Sequence, residues 1–291
     1  MPTGRVIASH SNFYDVQVGG AVYRCRPRGR FKLEGTRVLA GDMVVFREAG
    51  AGEGYIEGVE PRKVELTRPP IANVDQAVVV FTQVQPDKNY ALVDRFLVMA
   101  EGKGLAVTLC LNKRDLLPDD EVTEAVRYYR AAGYEVIPVS AKQAMNIDAL
   151  RAALAGKVSV LAGQSGVGKS TILNRLVPGA ELVTGGLSRK VQRGKHTTRH
   201  VSLLDTGDGL VADTPGFTNI EIGEIRPNEL AADFPEFEKY DGKCRFSGCL
   251  HDHEPGCAVK EAVAAGAIAP TRYQHYLDFL GEAREAQKHR Y

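Results

Sequence analysis

The sequence predicts an α/β domain built on a mostly parallel sheet, preceded by a small five-stranded β-barrel and followed by a short helical unit. Three observations predict it. Short strand-like runs separated by glycine turns fill residues 1–66 with no helical period. From Asp75 onward apolar runs alternate with helical stretches, as βαβ units do. Beyond Asn219 that alternation stops, and Cys and His residues crowd an irregular stretch ahead of two helical segments. The expected divisions are 1–66, 67–222 and 223–291.

In the first division strands are expected at 5–8, 14–18, 21–25, 43–46 and 55–59, with Gly19-Gly20 as a hairpin turn. Five short strands suit a barrel of the oligonucleotide-binding (OB) type. Between Arg24 and Arg37 six basic residues face a single acid, Glu34. Arg24, Arg26, Arg28 and Arg30 alternate, so a continuing strand sets them on one face, able to meet nucleic-acid phosphates. Pro27 interrupts the ladder that such a strand needs. Residues 61–70, with their prolines and mixed charges, read as a linker.

In the second division the apolar run at 78–81 is a buried strand, and 89–101 places Leu92, Phe96, Leu97 and Met99 at helical spacing. Further strands are expected at 105–111, 134–139 and 158–162, with helices at 119–132 and 146–155. The last division holds helical segments at 258–265 and 271–288. Its irregular part has few apolar residues to bury and calls for a staple.

The loops carry the chemistry. Gly163, Gln164, Ser165, Gly166, Val167, Gly168, Lys169 and Ser170 match the phosphate-binding P-loop pattern, with Thr171 next, between a strand and a helix. The glycines let backbone N–H groups turn toward phosphates, Lys169 adds a cation, and Ser170 offers a hydroxyl to Mg²⁺. Asn112, Lys113 and Asp115 follow the strand ending at Leu111, where ligands meet the carboxyl ends of parallel strands. A carboxylate there accepts from the N1–H and the amino group of guanine together; adenine offers no such donor pair. Ser140, Ala141 and Lys142 follow the next strand, and their backbone suits the guanine carbonyl. Asp213 closes a strand and suits Mg²⁺ through water, while the Gly216 N–H suits the γ-phosphate. Between the P-loop and Asp213 lie Thr197 and Thr198, one of which is expected to reach Mg²⁺.

The order of these elements is unusual. Ordinary small GTPases begin with the P-loop and end with the base-reading segments, whereas here Asn112–Asp115 and Ser140–Lys142 come first. The pattern is that of a circularly permuted P-loop GTPase domain, which leaves the pocket intact because domain termini commonly lie close together. It also sets Asp213 directly before the C-terminal unit, so nucleotide state is expected to reach that unit.

Cys244, Cys249, His251 and Cys257 supply three thiolates and one imidazole in a short stretch, enough for one closed, structural zinc site, with His253 as the competing ligand. Of 291 residues 44% are hydrophobic and 25% charged, which excludes disorder as the default. No run approaches the roughly 20 apolar residues of a membrane span, and the N-terminus lacks a signal-peptide core. A cytoplasmic monomer with no membrane partner is expected. The net charge of +1 announces no nucleic-acid partner by itself, although residues 182–204 contain no acid at all.

Taken together, these motifs resemble the ribosome small subunit-dependent GTPase A family of circularly permuted GTPases, over nearly the whole chain. The resemblance implies slow hydrolysis of GTP to GDP, stimulation by the small ribosomal subunit and its rRNA, and a role in late subunit maturation. His196 is similar to a family histidine that positions water, which makes it the candidate catalytic residue. Phe217 stands where Ras-like enzymes carry a glutamine and cannot hydrogen-bond a nucleophile, so intrinsic turnover is expected to be slow. Potassium-dependent relatives carry Asn where Gly166 stands, which argues against potassium stimulation through that position. Arg189, Lys190, Arg193, Lys195 and Arg199 suit a second RNA contact. Competing readings are a GTP-controlled RNA-binding module with negligible turnover, and an ATP-dependent kinase or transporter subunit, against which Asp115 argues.

Overall fold

Glycine turns and alternating apolar residues close the first strands into a barrel. The computed structural model describes residues 1–10, 12–29, 37–67, 69–177, 179, 201–213 and 222–289. Strands β1 (Thr3–Ser9), β2 (Tyr14–Val18), β3 (Ala21–Pro27), β4 (Met43–Gly50) and β5 (Glu53–Val59) pair in the order β1-β2-β3-β5-β4, and β4 returns to β1. β3 and β5 run parallel and the other pairs antiparallel. Val6, Val16, Cys25, Val44, Phe46 and Ile56 point inward and fill the interior without exposed surface. Pro27 is the last residue of β3, where a missing N–H costs the ladder least.

The stretch read as a linker is a built element. β6 (Glu65–Thr67) and β7 (Pro70–Ala72) form a two-stranded ribbon that buries Leu66 and Ile71 in the core of the α/β domain. Pro70 opens β7 opposite Thr67, at the turn end of the ribbon, while Leu66 and Ile71 pair on the inward face, a pattern that the prolines masked. Asp42, fully buried in the barrel, accepts the Leu39 N–H at 2.7 Å. Its two oxygens take Arg62 Nε and Nη2 at 2.8 and 2.9 Å, so a bidentate ion pair ties barrel to ribbon.

The next sheet follows the apolar runs. β8 (Gln76–Phe81) is buried along its whole length, as a central parallel strand must be with both faces covered. β9 (Ala106–Leu111), β10 (Glu135–Pro138), β11 (Val158–Ala162) and β13 (Leu210–Asp213) lie parallel with it in the order β10-β9-β8-β11-β13, and β12 (Ser202–Asp205) pairs antiparallel at the edge. Helix α1 (Tyr90–Glu101) starts where Asn89 accepts the Leu92 N–H at 2.9 Å. α2 (Asp119–Ala131), α3 (Ile147–Leu154) and α4 (Lys169–Leu176) complete the layers.

β12 was missed in the sequence, and it joins the two domains. It pairs antiparallel with β1 at Ala8 and Ser202, and the Ser9 N–H reaches the Val201 carbonyl at 3.4 Å, so barrel and α/β sheet form one eleven-stranded sheet. Behind it, α5 (Ala258–Ala264) and α6 (Pro270–Lys288) pack with 3-10 turns around Phe234, Phe237, Tyr276 and Phe279. No helix among the described residues is long and apolar enough to cross a membrane.

Candidate nucleotide and metal sites

The phosphate loop turns between β11 and α4, and its backbone admits only glycine at two places. Gly163 has φ +135°, and a Cβ there would stand 2.1 Å from the Val80 carbonyl oxygen. Gly168 has φ +99°, and a Cβ there would meet Asn112 Nδ2 at 2.3 Å. Lys169 folds back on the loop, donating to the Gly163 and Gln164 carbonyls at 2.6 and 2.9 Å. Burial pulls its ammonium down to about 8, and a phosphate set against it would favour the charged form and raise it again. Ser165, Gly166 and Ser170 are exposed at the mouth, Val167 is buried beneath it, and Thr171 is half-buried on α4.

Asn112 has a different task from its neighbours. It is 3% exposed, and its Nδ2 donates to the Val167 carbonyl at 2.8 Å while its Oδ1 accepts the Ala141 N–H at 3.1 Å. One of its two N–H donors and its oxygen stitch three loops into one pocket. Lys113, in left-handed backbone at φ 64°, reaches the carbonyl of Gln85 across the site. Asp115 stays half-buried in a 3-10 turn spanning Arg114–Leu116, held by an Arg114 N–H bond to the Val139 carbonyl at 3.0 Å.

Ser140 is fully buried and caps the Gln143 N–H through its hydroxyl at 3.1 Å, which rounds the loop over Ala141 and Lys142. Asp213 ends β13 with its carboxyl raised above the ordinary range by burial, so a cation beside it would be welcome. The 112–115, 140–142 and 163–170 segments and Asp213 thus gather at the carboxyl ends of β9, β10, β11 and β13. His196, Thr197, Thr198, Gly216, Phe217 and Arg30 lie outside the described residues.

A second cluster sits in the C-terminal unit. The ligand atoms of Cys244, Cys249, His251 and Cys257 all lie within 4.8 Å of one another. His251 Nδ1 is 3.6 Å from Cys244 Sγ and 3.4 Å from Cys257 Sγ. Four such donors close a tetrahedral shell with no position left for water. Burial pushes the Cys249 thiol up to about 12, so thiolates at neutral pH call for a metal ion among them. His253 lies outside this cluster, its side chain 91% exposed and 3.2 Å from Asp252.

On the barrel, Arg24, Arg26 and Arg28 share an exposed outer face while Cys25 between them points inward. Arg24 lies over the Phe13 ring at 4.5 Å, and Arg28 pairs with Glu57 at 2.7 Å. Tyr55, 42% exposed, stands opposite Arg26 in the register, with Arg47 over its ring at 5.6 Å. Sequence reasoning passed over Tyr55, although strand alternation sets it outward.

A model of the RsgA GTPase family matches residues 59–223, and one described as the RsgA N-terminal domain matches residues 3–56. The Small ribosomal subunit biogenesis GTPase RsgA of Geobacillus thermodenitrificans is 49% identical over 294 residues, covering 100% of both chains. Its counterpart in Shouchella clausii is 47% identical over 294 residues, again with 100% of each covered. Among solved structures, YloQ, described as a circularly permuted GTPase, superposes with a TM-score of 0.84 at 39% identity, over 98% of this chain and 96% of its own. YjeQ from Thermotoga maritima gives 0.86 at 39% identity, over 97% and 98%.

Proposed function

The chain belongs to the RsgA GTPase family, and from that premise we propose that it hydrolyses GTP in the late maturation of the small ribosomal subunit. One observation carries the reading: Asn112 pins its own segment, the 140–142 loop and the P-loop together at the carboxyl ends of neighbouring parallel strands, the end of the sheet where Asp213 also closes β13. Asp115 reads the amino-keto edge of guanine, the P-loop amides and Lys169 hold the phosphates, and the Ser140–Lys142 backbone meets the base carbonyl. Mg²⁺ arriving with the nucleotide would be held by Ser170, Asp213 and either Thr197 or Thr198, and would neutralise phosphate charge. His196 would orient the attacking water.

The outer face of the barrel, with Arg24, Arg26 and Arg28 exposed and Tyr55 opposite Arg26, is the proposed rRNA contact, offering cations to phosphates and a ring to a base, and Arg30 continues the basic alternation in sequence. Because β1 pairs with β12 directly after the segment that holds His196 and the two threonines, a load on the barrel reaches that segment through one strand pair. This favours stimulation by the subunit over a silent binding module. GTP turnover should rise at least about tenfold with small subunits, the direction set by activators that complete a site in trans. Large subunits and bare RNA should do less. Equal rates under all conditions would remove the ribosomal role, and single-turnover hydrolysis that stays at background even with small subunits would leave only the binding module. The protein is proposed to act as a cytoplasmic monomer.

Zinc is the metal that three thiolates and an imidazole favour. The knuckle is tied to α6 by Tyr273 and Tyr276, whose hydroxyls donate to the His251 and Leu250 carbonyls at 2.6 Å each. Chelation should release one zinc per chain and speed amide exchange over residues 234–257, while GDP affinity changes less than about twofold, because the knuckle and the pocket belong to separate cores. A parallel loss of GDP binding would contradict that separation.

A further inference from the structure

The helix behind the phosphate loop carries a side chain that phosphate chemistry does not use. Arg175, in the last turn of α4, donates from Nε to the Ala141 carbonyl at 2.9 Å and from Nη2 to the Lys142 carbonyl at 3.0 Å. Everything else that shapes this loop acts from within it or from the strand side. Ser140 and Met145 exchange both backbone bonds, at 3.1 and 2.9 Å, and Asn112 takes the Ala141 N–H. Among the described residues Arg175 is the side chain of α4 that grips the loop, by the Ala141 and Lys142 carbonyls.

The consequence follows from peptide geometry. The Ala141 carbonyl and the Lys142 N–H belong to one planar trans peptide and point in opposite directions. A carbonyl held toward α4 therefore aims the Lys142 N–H away from it. The neighbouring amides are engaged, that of Ala141 by Asn112 and that of Gln143 by the Ser140 hydroxyl. The Lys142 N–H has no acceptor among the described residues.

Building on the nucleotide reading above, we propose that Arg175 is a positioning residue for guanine recognition, fixing the peptide whose Lys142 N–H meets the 6-oxo group of the base. Asp115 reads the opposite functional groups of the same edge, N1–H and the amino group. Arg175 acts only through the loop and touches no nucleotide itself.

A ligand cycle tests this on the full chain. GDP and the diphosphate of 2-aminopurine riboside differ in the 6-oxo group and the N1 proton, so the wild type should prefer GDP. In Arg175→Ala, GDP affinity should fall about tenfold, the weight of one oriented bond, and GDP release should quicken, while the analogue binds nearly as before. Arg175→Lys, which can still bridge one carbonyl, should recover part of the preference. The side chain is exposed, so its removal leaves the hydrophobic core intact. Equal weakening of both ligands would mean a merely structural role, and unchanged binding would mean none; either overturns the proposal. A wild-type protein that binds neither ligand would instead bring down the nucleotide reading beneath it.

Discussion

Replacing Asp115 by Asn should lower GDP affinity by about two to four orders of magnitude, since two hydrogen bonds to a charged acceptor, each worth about 1.5–3 kcal/mol, are lost together. The same change should create a preference for xanthosine diphosphate. The reason is donor and acceptor pattern alone: the amide can donate where the carboxylate could only accept, and xanthine carries a carbonyl where guanine carries an amino group. The backbone around residue 115 should not move, because Leu117 is buried and the Arg114 N–H is fixed on Val139. Titration calorimetry with GDP, ADP and xanthosine diphosphate checks the result. A variant that kept its full preference for GDP would show that the base is read elsewhere, and would reopen the ATP-dependent reading.

The parts of this site that could be read from the sequence are those whose chemistry is local. The P-loop glycines, the Asp115 segment and the Cys/His knuckle each announce themselves within a few residues, because backbone conformation or ligand spacing constrains them in series. The buried run of β8 was legible for the same reason. Elements defined by distant partners were not. β12 is four residues long and follows a polar basic stretch, so only its pairing with β13 and β1 makes it a strand. The ribbon at 65–72 hid behind its prolines. The bonds of Asn112 to Val167 and Ala141, which hold three loops together, could not be read from its motif, because both partners lie far away in sequence. Arg175 had no pattern to mark it, and its partners come from a loop 34 and 33 residues away.

The same blindness hid the joint between the nucleotide domain and the C-terminal unit, where the second large effect is expected. Arg272 on α6 is 1% exposed and faces two carboxylates at once. Its Nη1 lies 2.8 Å from Oδ1 of Asp94, a fully buried residue of α1, and its Nε and Nη2 donate to Glu236 at 2.6 and 2.9 Å. The guanidinium also lies over the Phe234 ring at 4.7 Å, and His275 meets the other oxygen of Asp94 at 2.6 Å from 181 residues away in sequence. Arg272→Met should therefore destabilise the docking of the C-terminal unit by about 3–5 kcal/mol, since it leaves two buried carboxylates facing each other with no cation between them. Removing the charges together, as Arg272→Met with Asp94→Leu and Glu236→Met, should recover most of that loss, because paired apolar groups need no compensating charge. Denaturant unfolding, together with limited proteolysis near residue 222, reads both outcomes. If the single variant were as stable as the wild type, the joint would be held by α1 and α6 packing alone. Because α1 is the next element after β8, beside the pocket, a weakened joint that also changed the ratio of GDP to GTP-analogue affinity would place a link between nucleotide and C-terminal unit on the Asp94–Arg272 pair, whereas unchanged nucleotide binding would leave the strand that ends at Asp213 as the connection.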